Sequence, residues 1–460
     1  MDERLYIARD AAMHHAQTPK EKVALLFKIF WPIMVTQVGL YAMNLVGTMM
    51  AGRSGTDDLA GVAIGSSIWM PVFTGMNGIL MAVTPIVSQL LGSGQRHKIG
   101  ESVTQSLYVS VLLSVIVLVV GAAFLEPLLS LMGLESNVHH ITKRFLIGLS
   151  FGIAPLFAAN VLRYFFDAQG YTHIMMAIML LAVPVNVVLN YFFIFGKFGF
   201  PALGGIGVGY ATAATYWFIF IICVIITFKV KIMRTYHLFV KWFSPSLKAW
   251  REQLRIGVPM GLSVFFESSI FAVVTLLVGT MFSTVTIAAH QAAINFTSLL
   301  FMVPLSISMA LTIVVGFEAG GRRFADAKQY ARLGVTSAIG MMAIFSLFLY
   351  FFREQIAHLY SDNGEVVDLV KQFLIFAIFY QMSDAAQASL QGVLRGYKDV
   401  TIPFVTALAS YWGIGIPVGY GLASFTDWGP FGFWIGITAG LTCAALGFLL
   451  RLFIIQKRWG

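Results

Sequence analysis

Long apolar runs, separated by short polar segments, extend along almost the whole chain of 460 residues. A helix of about 20 apolar residues is long enough to cross the hydrocarbon core of a bilayer, and the alternation typical of membrane-spanning strands is absent. The pattern therefore predicts an all-α membrane protein with twelve transmembrane helices. Their predicted bounds are 28–51, 60–91, 102–125, 142–167, 174–196, 205–228, 254–279, 286–316, 332–352, 367–394, 400–422 and 432–455.

Lysine and arginine are concentrated in every second polar segment. With twelve spans, 24 of the 30 basic residues fall on the side of the two chain ends. Cytoplasmic segments carry an excess of basic residues, so we expect a multi-pass protein of the bacterial cytoplasmic membrane with both termini in the cytoplasm. Residues 1–27 lack the apolar core of a signal peptide and are expected to form a cytoplasmic segment.

The two halves of the sequence resemble each other. A shift of 227 residues places Pro32 on Pro259 and Gly52 on Gly279, and a shift of 225 places Gly204 on Gly429. Six spans in each half give both halves the same orientation in the membrane. We therefore predict two parallel-related six-helix bundles around a central cavity, which is typical of alternating-access transporters. The predicted bundles are residues 28–228 and 254–460, joined by a cytoplasmic linker over 229–253.

Composition excludes several other classes. The chain is 58% hydrophobic and 11% charged, and its net charge of +9 lies in the short segments between spans, so no nucleic-acid partner is expected. The two cysteines, Cys223 and Cys443, lie in apolar runs, which argues against a disulfide framework. The phosphate-binding loop of nucleotide-driven pumps is absent, as are the HExxH and GxSxG motifs of hydrolases.

Two acidic residues lie deep inside predicted spans of the second half. Glu267 is about 13 residues from one end of its span, and Asp384 is about 10 residues from the same side of its own, so their depths differ by about 5 Å. Tyr380, Asp384 and Gln387 share one helical face. Such acids are costly in lipid, and no basic residue is predicted at that depth to neutralise them.

These side chains predict a cation site. Carboxylate, hydroxyl and amide oxygens are the ligands that hard cations prefer, so Glu267, Tyr380 and Asp384 could hold sodium, or an acid could take a proton. No resident cofactor is expected, since the ion would be transported. A hydrogen bond that only joins two helices is the structural alternative. Possible further lining residues of the second half are Gln291, Asn295, Gln387 and His290.

The first half has buried polarity without an acid at mid-depth. Its candidates for cation or substrate lining are Gln37, Tyr41, Asn44, Asn186 and Asn190. The abundance of aromatic and methionine side chains, 40 Phe and 21 Met among them, suits flat lipophilic cations. Small organic cations and the lipid bilayer are therefore the expected partners, and the chain is expected to be a monomer.

Several stretches of this sequence resemble the multidrug and toxic compound extrusion (MATE) family, and within it the bacterial NorM branch. The resemblance extends over almost the whole chain and implies a two-bundle antiporter that exports organic cations in exchange for sodium or protons. It also implies that Glu267, Tyr380 and Asp384 form the cation site. The stretches are VGTMMAG (46–52), PVNVVLN to GYATA (184–213), FFES (265–268), AAHQAAINFTSLLFMVP (288–304), YQMSD (380–384) and LRGYKD (394–399).

One position departs from this family pattern. Many members carry an aspartate in the first helix just before the T-x-M-A-G ending, whereas this chain has Gly47. The departure favours the acids of the second half as the coupling site, and sodium over protons. The expected function is cation-coupled efflux of drugs, with no enzymatic activity. A lipid-linked glycan flippase is the alternative, although the deep basic residues for a pyrophosphate are missing, and an intramembrane hydrolase is a remote one.

Overall fold

The computed structural model describes residues 13–460, and within them every regular element is helical. Eleven helices of this region are long and apolar enough to cross a membrane, and a bent pair makes twelve if it counts as one span. The predicted all-α fold and number of spans are therefore confirmed. The predicted segment 1–27 lies partly outside the described residues, and its last nine residues already belong to the first helix.

The first half of the described residues contains nine helices. They are α1 (Pro19–Ser54), α2 (Thr56–Leu80), α3 (Val83–Gly92), α4 (Ile99–Leu131), α5 (Ser136–Ser150), α6 (Ile153–Ala168), α7 (Thr172–Phe195), α8 (Gly205–Lys229) and the short α9 (Lys231–Arg234), with one 3-10 turn at Arg96–Lys98.

The second half contains the remaining helices and one irregular turn. They are α10 (Leu247–Met281), α11 (Thr284–Gly320), α12 (Phe324–Tyr360), α13 (Gly364–Gly396), α14 (Thr401–Leu408), the π segment (Ala409–Gly415, a π-helical turn), α15 (Ile416–Phe425) and α16 (Phe431–Trp459).

The chain divides into two compact units. The first unit contains Val35–Gly261, and the second contains His15–Met34 together with Leu262–Gly460. Long helices α1 and α10 each contribute residues to both units. The units therefore begin and end at different residues from the predicted bundles, whose borders were placed at the ends of apolar runs.

Paired positions of the internal repeat have the same local structure. Pro32 and Pro259 both lie inside long helices, α1 and α10. Gly204 and Gly429 have nearly equal positive φ angles, 61° and 60°, just before the last long helix of each half. A positive φ favours glycine, since other residues are crowded there. The repeat seen in the sequence is therefore also a repeat of backbone geometry.

Two predicted spans are interrupted. The span predicted over 142–167 consists of α5 and α6, which meet at 50°. The break includes Gly152, where an added Cβ would lie 2.6 Å from the Cα of Ala213, so the bend accompanies a close approach of two backbones. The span predicted over 400–422 contains the π segment. Kinks of this kind usually arise at glycine, serine or π-helical turns.

Close packing of α11 against α13 fixes the position of the polar side chains in the second unit. A Cβ added at Gly392 would lie 2.4 Å from the carbonyl oxygen of Ser308. The Thr312 hydroxyl donates to the Gly392 carbonyl oxygen at 2.8 Å. Small residues allow helices in membranes to approach closely and to bond through side chains. The face of α13 that carries Asp384 is thereby held inside the unit.

Candidate cation-binding site

The two deep acids of the second unit share one amide nitrogen. Gln387 Nε2 donates to Glu267 Oε1 at 2.9 Å and to Asp384 Oδ1 at 2.8 Å. Asp384 and Gln387 are buried on α13, and Glu267 on α10 is partly buried. At these distances the two acceptor oxygens lie within about 6 Å of each other, close to the span that one ion coordinated at about 2.3–2.6 Å could bridge.

The orientation of the Gln387 amide is fixed from its other side. The Tyr411 hydroxyl donates to Gln387 Oε1 at 2.7 Å, so the amide oxygen faces Tyr411 and the nitrogen faces the acids. Tyr411 is 1% exposed and lies in the π segment. Such turns are frequent at functional sites, because they displace side chains from the α-helical register.

Tyr380 lies one turn before Asp384 on the same face of α13. It is buried, and its hydroxyl interacts with the Asp384 carboxyl group. Its ring meets Phe271 at 6.0 Å and Trp434 at 5.9 Å, both nearly edge-on. The structure thus brings Glu267, Tyr380 and Asp384 together and places an aromatic wall beside them.

A buried arginine lies near this group. The sequence pattern assigns Arg395 to a polar segment outside the spans, but the structure places it in the last turn of α13 with 6% exposure. Its guanidinium interacts electrostatically with Glu267. The prediction that no basic residue lies at the depth of the acids stays a prediction, since Arg395 lies eleven residues beyond Asp384. The burial of this arginine was not predicted, because a charged residue at the end of an apolar run is typical of a loop.

His290 belongs to the aromatic packing beside the acids. It is fully buried, its Nδ1 accepts from Trp434 Nε1 at 3.0 Å, and its Nε2 lies 3.3 Å from Thr275 Oγ1. Both ring nitrogens therefore have partners. Trp434, whose ring also meets that of Tyr380, lies between His290 and the acids.

Gln291 and Asn295 lie away from this buried cluster. Both are exposed on α11, and Asn295 Oδ1 accepts from the Tyr360 hydroxyl at 2.7 Å. Their helical spacing places them on one face, but it is a different face from the one that carries His290. The structure therefore does not bring them to the acids.

Two further glutamines contribute near the acids. Gln391 Nε2 donates to Ser263 Oγ at 2.6 Å and ties α13 to α10 one turn beyond Gln387. Both amide atoms of Gln381 are buried without a hydrogen-bond partner among the described residues. Gln381 lies three residues before Asp384, so it points toward the same side of the helix. Buried polar groups without protein partners commonly bind water or an ion.

Three buried polar residues of the first unit form a neutral hydrogen-bonded chain. Asn190 Nδ2 donates to Asn186 Oδ1 at 3.0 Å, and Asn186 Nδ2 donates to Thr215 Oγ1 at 3.1 Å. A Cβ added at Gly47 would lie 3.9 Å from Asn190 Nδ2. Gly47, the position at which many MATE members carry an aspartate, therefore borders the asparagine chain. Here the position has no side chain.

The first unit also has a buried acid, Asp167, with its own cation. Arg163 Nε lies 3.6 Å from Asp167 Oδ2, and both side chains are buried on α6. The Arg163 guanidinium also donates to Gln37 Oε1 at 3.0 Å. Of the other residues predicted on α1, Tyr41 is partly buried and Asn44 is exposed. The first unit thus compensates its buried charge internally.

Another acidic group lies where α11 meets α12. Glu318 and Asp326 lie within reach of His15 and could hold a metal ion by geometry alone. Each acid already has a basic partner, Arg323 at 2.5 Å from Glu318 and Lys22 at 2.8 Å from Asp326. These ion pairs fasten the amino-terminal part of α1 to the second unit, and they leave little negative charge for a metal ion.

Comparisons with known proteins agree with the repeat. The family model described as MatE matches residues 32–192 and again residues 259–421, and the two matches start 227 residues apart. The chain is 52% identical to a probable multidrug resistance protein NorM of Bacillus subtilis (strain 168), over 97% of this chain and 99% of that protein. It is 49% identical to the protein of the same description from Halalkalibacterium halodurans, over 97% of each.

Solved structures show the same fold. One described as the outward-facing conformation of a multidrug resistance MATE family transporter of the MOP superfamily has a TM-score of 0.87 at 19% identity, and the match covers 100% of this chain and 99% of that one. Members of the matched family are transporters, so the predicted absence of enzymatic activity is confirmed and an intramembrane hydrolase is excluded. On the twofold family match and the identity over nearly the whole length, the chain belongs to the MatE family of multi-pass membrane transporters.

Proposed function

We propose that this chain is a cation-coupled multidrug efflux antiporter of the bacterial cytoplasmic membrane, with both termini in the cytoplasm. It would export lipophilic organic cations by alternating access. The observation that carries the proposal is the pair of carboxylates, Glu267 and Asp384, that share the Gln387 amide nitrogen inside the second unit. The names of the similar bacterial proteins, which are described as multidrug resistance proteins, support the substrate class.

The Gln387 amide stands where a cation would neutralise the acids. Its two N–H groups each donate to one carboxylate, which stabilises negative charge in the absence of an ion. An arriving ion would replace these donors and balance the negative charge itself. Carboxylate and phenol oxygens together suit sodium.

Sodium is the favoured ion and a proton is the alternative. Gly47 leaves the neutral asparagine chain of the first unit without an acid, so the second unit supplies the carboxylates, two acids near the single Arg395. Ion binding there would lower the affinity for drug, and by linkage the drug would lower the affinity for the ion. Coupling of this kind is worth about 1–3 kcal/mol in typical proteins, so the inward ion gradient could drive release outside.

The test uses purified protein in vesicles preloaded with ethidium. A sodium jump at constant pH and a pH jump at constant sodium are applied separately, and efflux is followed by fluorescence. We expect the sodium jump to trigger efflux. Glu267→Gln and Asp384→Asn should each lower the sodium-triggered rate at least tenfold, since each removes a charge that the ion must balance.

Asp427→Asn is the matched control, because Asp427 is an exposed carboxylate between α15 and α16. It should keep the wild-type rate. Full sodium-triggered efflux by both site variants would overturn the site assignment. A response to the pH jump alone would replace sodium with the proton and keep the same residues.

A further inference from the structure

The segment between α8 and α10, which we name the connector (residues 230–246), is built as a fixed surface. It contains α9 and two residues with left-handed backbone, His237 (φ 56°) and Phe239 (φ 62°). Three of its own side chains, Met233, Tyr236 and Leu238, are buried. Left-handed residues other than glycine are uncommon and persist only where the surroundings hold them. The connector is therefore an ordered element of the first unit.

Two side chains of α4 hold the carboxy-terminal end of the connector. Gln105 Nε2 donates to the Ser244 carbonyl oxygen at 2.8 Å, and Gln105 Oε1 accepts from the Ser246 backbone N–H at 3.0 Å and from Trp250 Nε1 at 2.8 Å. The Tyr108 hydroxyl donates to the Phe243 carbonyl oxygen at 2.7 Å. A single buried glutamine thus satisfies three polar groups and fixes the path of the chain.

The amino-terminal part of the connector packs on the 3-10 turn and on α6. The Arg96 guanidinium lies over the Tyr236 ring at 4.9 Å, and Phe165 meets the same ring edge-on at 5.1 Å. A Cβ added at Gly100 would lie 2.5 Å from the Tyr236 carbonyl oxygen, so the backbones are in direct contact. Both ends of the connector are therefore anchored within the first unit.

The outer face of this fixed segment is basic. Every lysine and arginine from Lys229 to Arg255 is exposed, and the sequence has no acidic residue between Asp167 and Glu252. Of the acids on the elements packed against the connector, Glu101 of α4 and Glu252 of α10 are exposed and close to it in sequence, whereas Glu126 lies near the other end of α4 and Asp167 is buried on α6. The exposed basic residues are Lys229, Lys231, Arg234, Lys241, Lys248, Arg251 and Arg255.

Apolar side chains are exposed among these charges. Val240 is 64%, Trp242 is 59% and Leu247 is 78% exposed. The Trp242 ring stacks on Tyr108 at 6.3 Å, so its position is fixed although it is exposed. Tryptophan at the ends of membrane spans lies at the level of the lipid headgroups, and long basic side chains extend to the same level.

We propose that the connector is a docking surface for anionic phospholipid headgroups of the leaflet that it faces. The membrane-crossing helices α8 and α10 end and begin beside it, at Lys229 and Leu247, so the connector lies at the membrane surface by chain continuity. Basic residues near an anionic leaflet each strengthen binding roughly fivefold. Gln105 and Tyr108 already hold the connector in place. Binding therefore avoids the loss of conformational entropy that a flexible loop would undergo.

The test compares lipid preference in the full-length protein. Purified protein is placed in phosphatidylcholine bilayers with spin-labelled phosphatidylglycerol or spin-labelled phosphatidylcholine, and the relative association constants are measured. We expect a preference for phosphatidylglycerol of at least threefold. Lys231→Gln, Arg234→Gln and Lys241→Gln combined should reduce this preference to about one, since all three side chains are exposed on the basic face.

The matched control removes three exposed charges elsewhere in the same unit, Arg53→Gln, Arg144→Gln and Lys197→Gln. It should keep the wild-type preference, and an equal loss in both triple variants would overturn the proposal. Preserved preference in the connector variant would also overturn it and would favour a soluble acidic partner. Raised sodium chloride should weaken the preference. Stronger displacement by inorganic phosphate than by chloride of the same ionic strength would contradict a lipid site and indicate a free-phosphate site.

Discussion

The buried acids of the two units have different partners, although the units share a repeat. In the first unit Asp167 lies beside Arg163, which also bonds to Gln37. In the second unit Glu267 and Asp384 face one neutral amide. The first arrangement sets one acid against one arginine, whereas the second sets two acids against the single Arg395 and leaves negative charge to be balanced by something that can arrive and leave. The difference separates a structural ion pair from a candidate transport site.

The largest expected effect is on stability, from breaking the ion pair of the first unit. Arg163→Gln leaves Asp167 buried without its cation, and loss of one partner of a buried pair typically costs about 3 kcal/mol or more. Unfolding of the purified protein should therefore occur at a markedly lower temperature. Glu267→Gln, which removes one of two neighbouring buried acids and no cation, should not show this loss. Equal stability of Arg163→Gln and wild type would show that the pair is not needed.

The next effect concerns the shared amide of the second unit. Gln387→Leu removes both donors from the acids, so the ion-free state is destabilised and the ion should bind about tenfold more tightly. Release should slow, and ethidium efflux should fall by a similar factor. Half-saturating sodium and the efflux rate measure the two changes. Gln391→Leu is the control, because Gln391 bonds to Ser263 instead of the acids. Weaker sodium binding in Gln387→Leu would contradict this role.

A third change would make the first unit more like the second. Gly47→Asp adds a carboxylate beside Asn190, and the new Cβ would meet Val208 Cγ1 at 3.3 Å, which requires only a small shift. Efflux at constant sodium should then vary several-fold between about pH 6 and about pH 8, because a buried acid titrates in or near this range. Gly47→Asn has a similar size and should remain independent of pH. Parallel pH profiles of the two variants would contradict the prediction.

The smallest effect is expected at Tyr411, at the edge of the hydrogen-bond network around Glu267 and Asp384. Tyr411→Phe removes one hydrogen bond to Gln387 Oε1, which is worth about 1 kcal/mol. The sodium concentration that gives half-maximal efflux should therefore change about fivefold. Tyr420→Phe alters an exposed tyrosine of α15 and should have no effect. Sodium titration of efflux measures both. An unchanged titration curve in Tyr411→Phe would mean that the amide keeps its orientation without the phenol.

The pattern of the sequence was sufficient for the helices and the repeat. Apolar runs of membrane length form helices because lipid offers no partner for backbone polar groups, so twelve runs gave the correct architecture. The same logic placed Glu267 and Asp384 at similar depth, and the structure brings them to one amide. The bend before Ile153 was not predicted, since it accompanies contact between Gly152 and Ala213, which are distant in the sequence.

The sequence did not indicate the support around the acids. Tyr411 lies in an apolar run without a polar stripe, and its side chain reaches Gln387 only through the π segment. Arg395 lies at the end of a helix, where a charged residue is usually read as solvated, yet it is buried. Gln291 and Asn295 showed the reverse case. Their four-residue spacing suggested a wall of the site, but that face of α11 is exposed.

The π segment has a consequence for how the second unit could respond to its ion. A π-helical turn contains one residue more than an α-helical turn. It can therefore move along a helix one residue at a time while the rest of the helix stays folded. Tyr411 lies inside this turn and hydrogen bonds to the glutamine that contacts both acids. A change in the glutamine would therefore release or recapture the phenol and shift the π segment, which rotates each residue that it passes by about 100° while the residues of α15 beyond it keep their orientation.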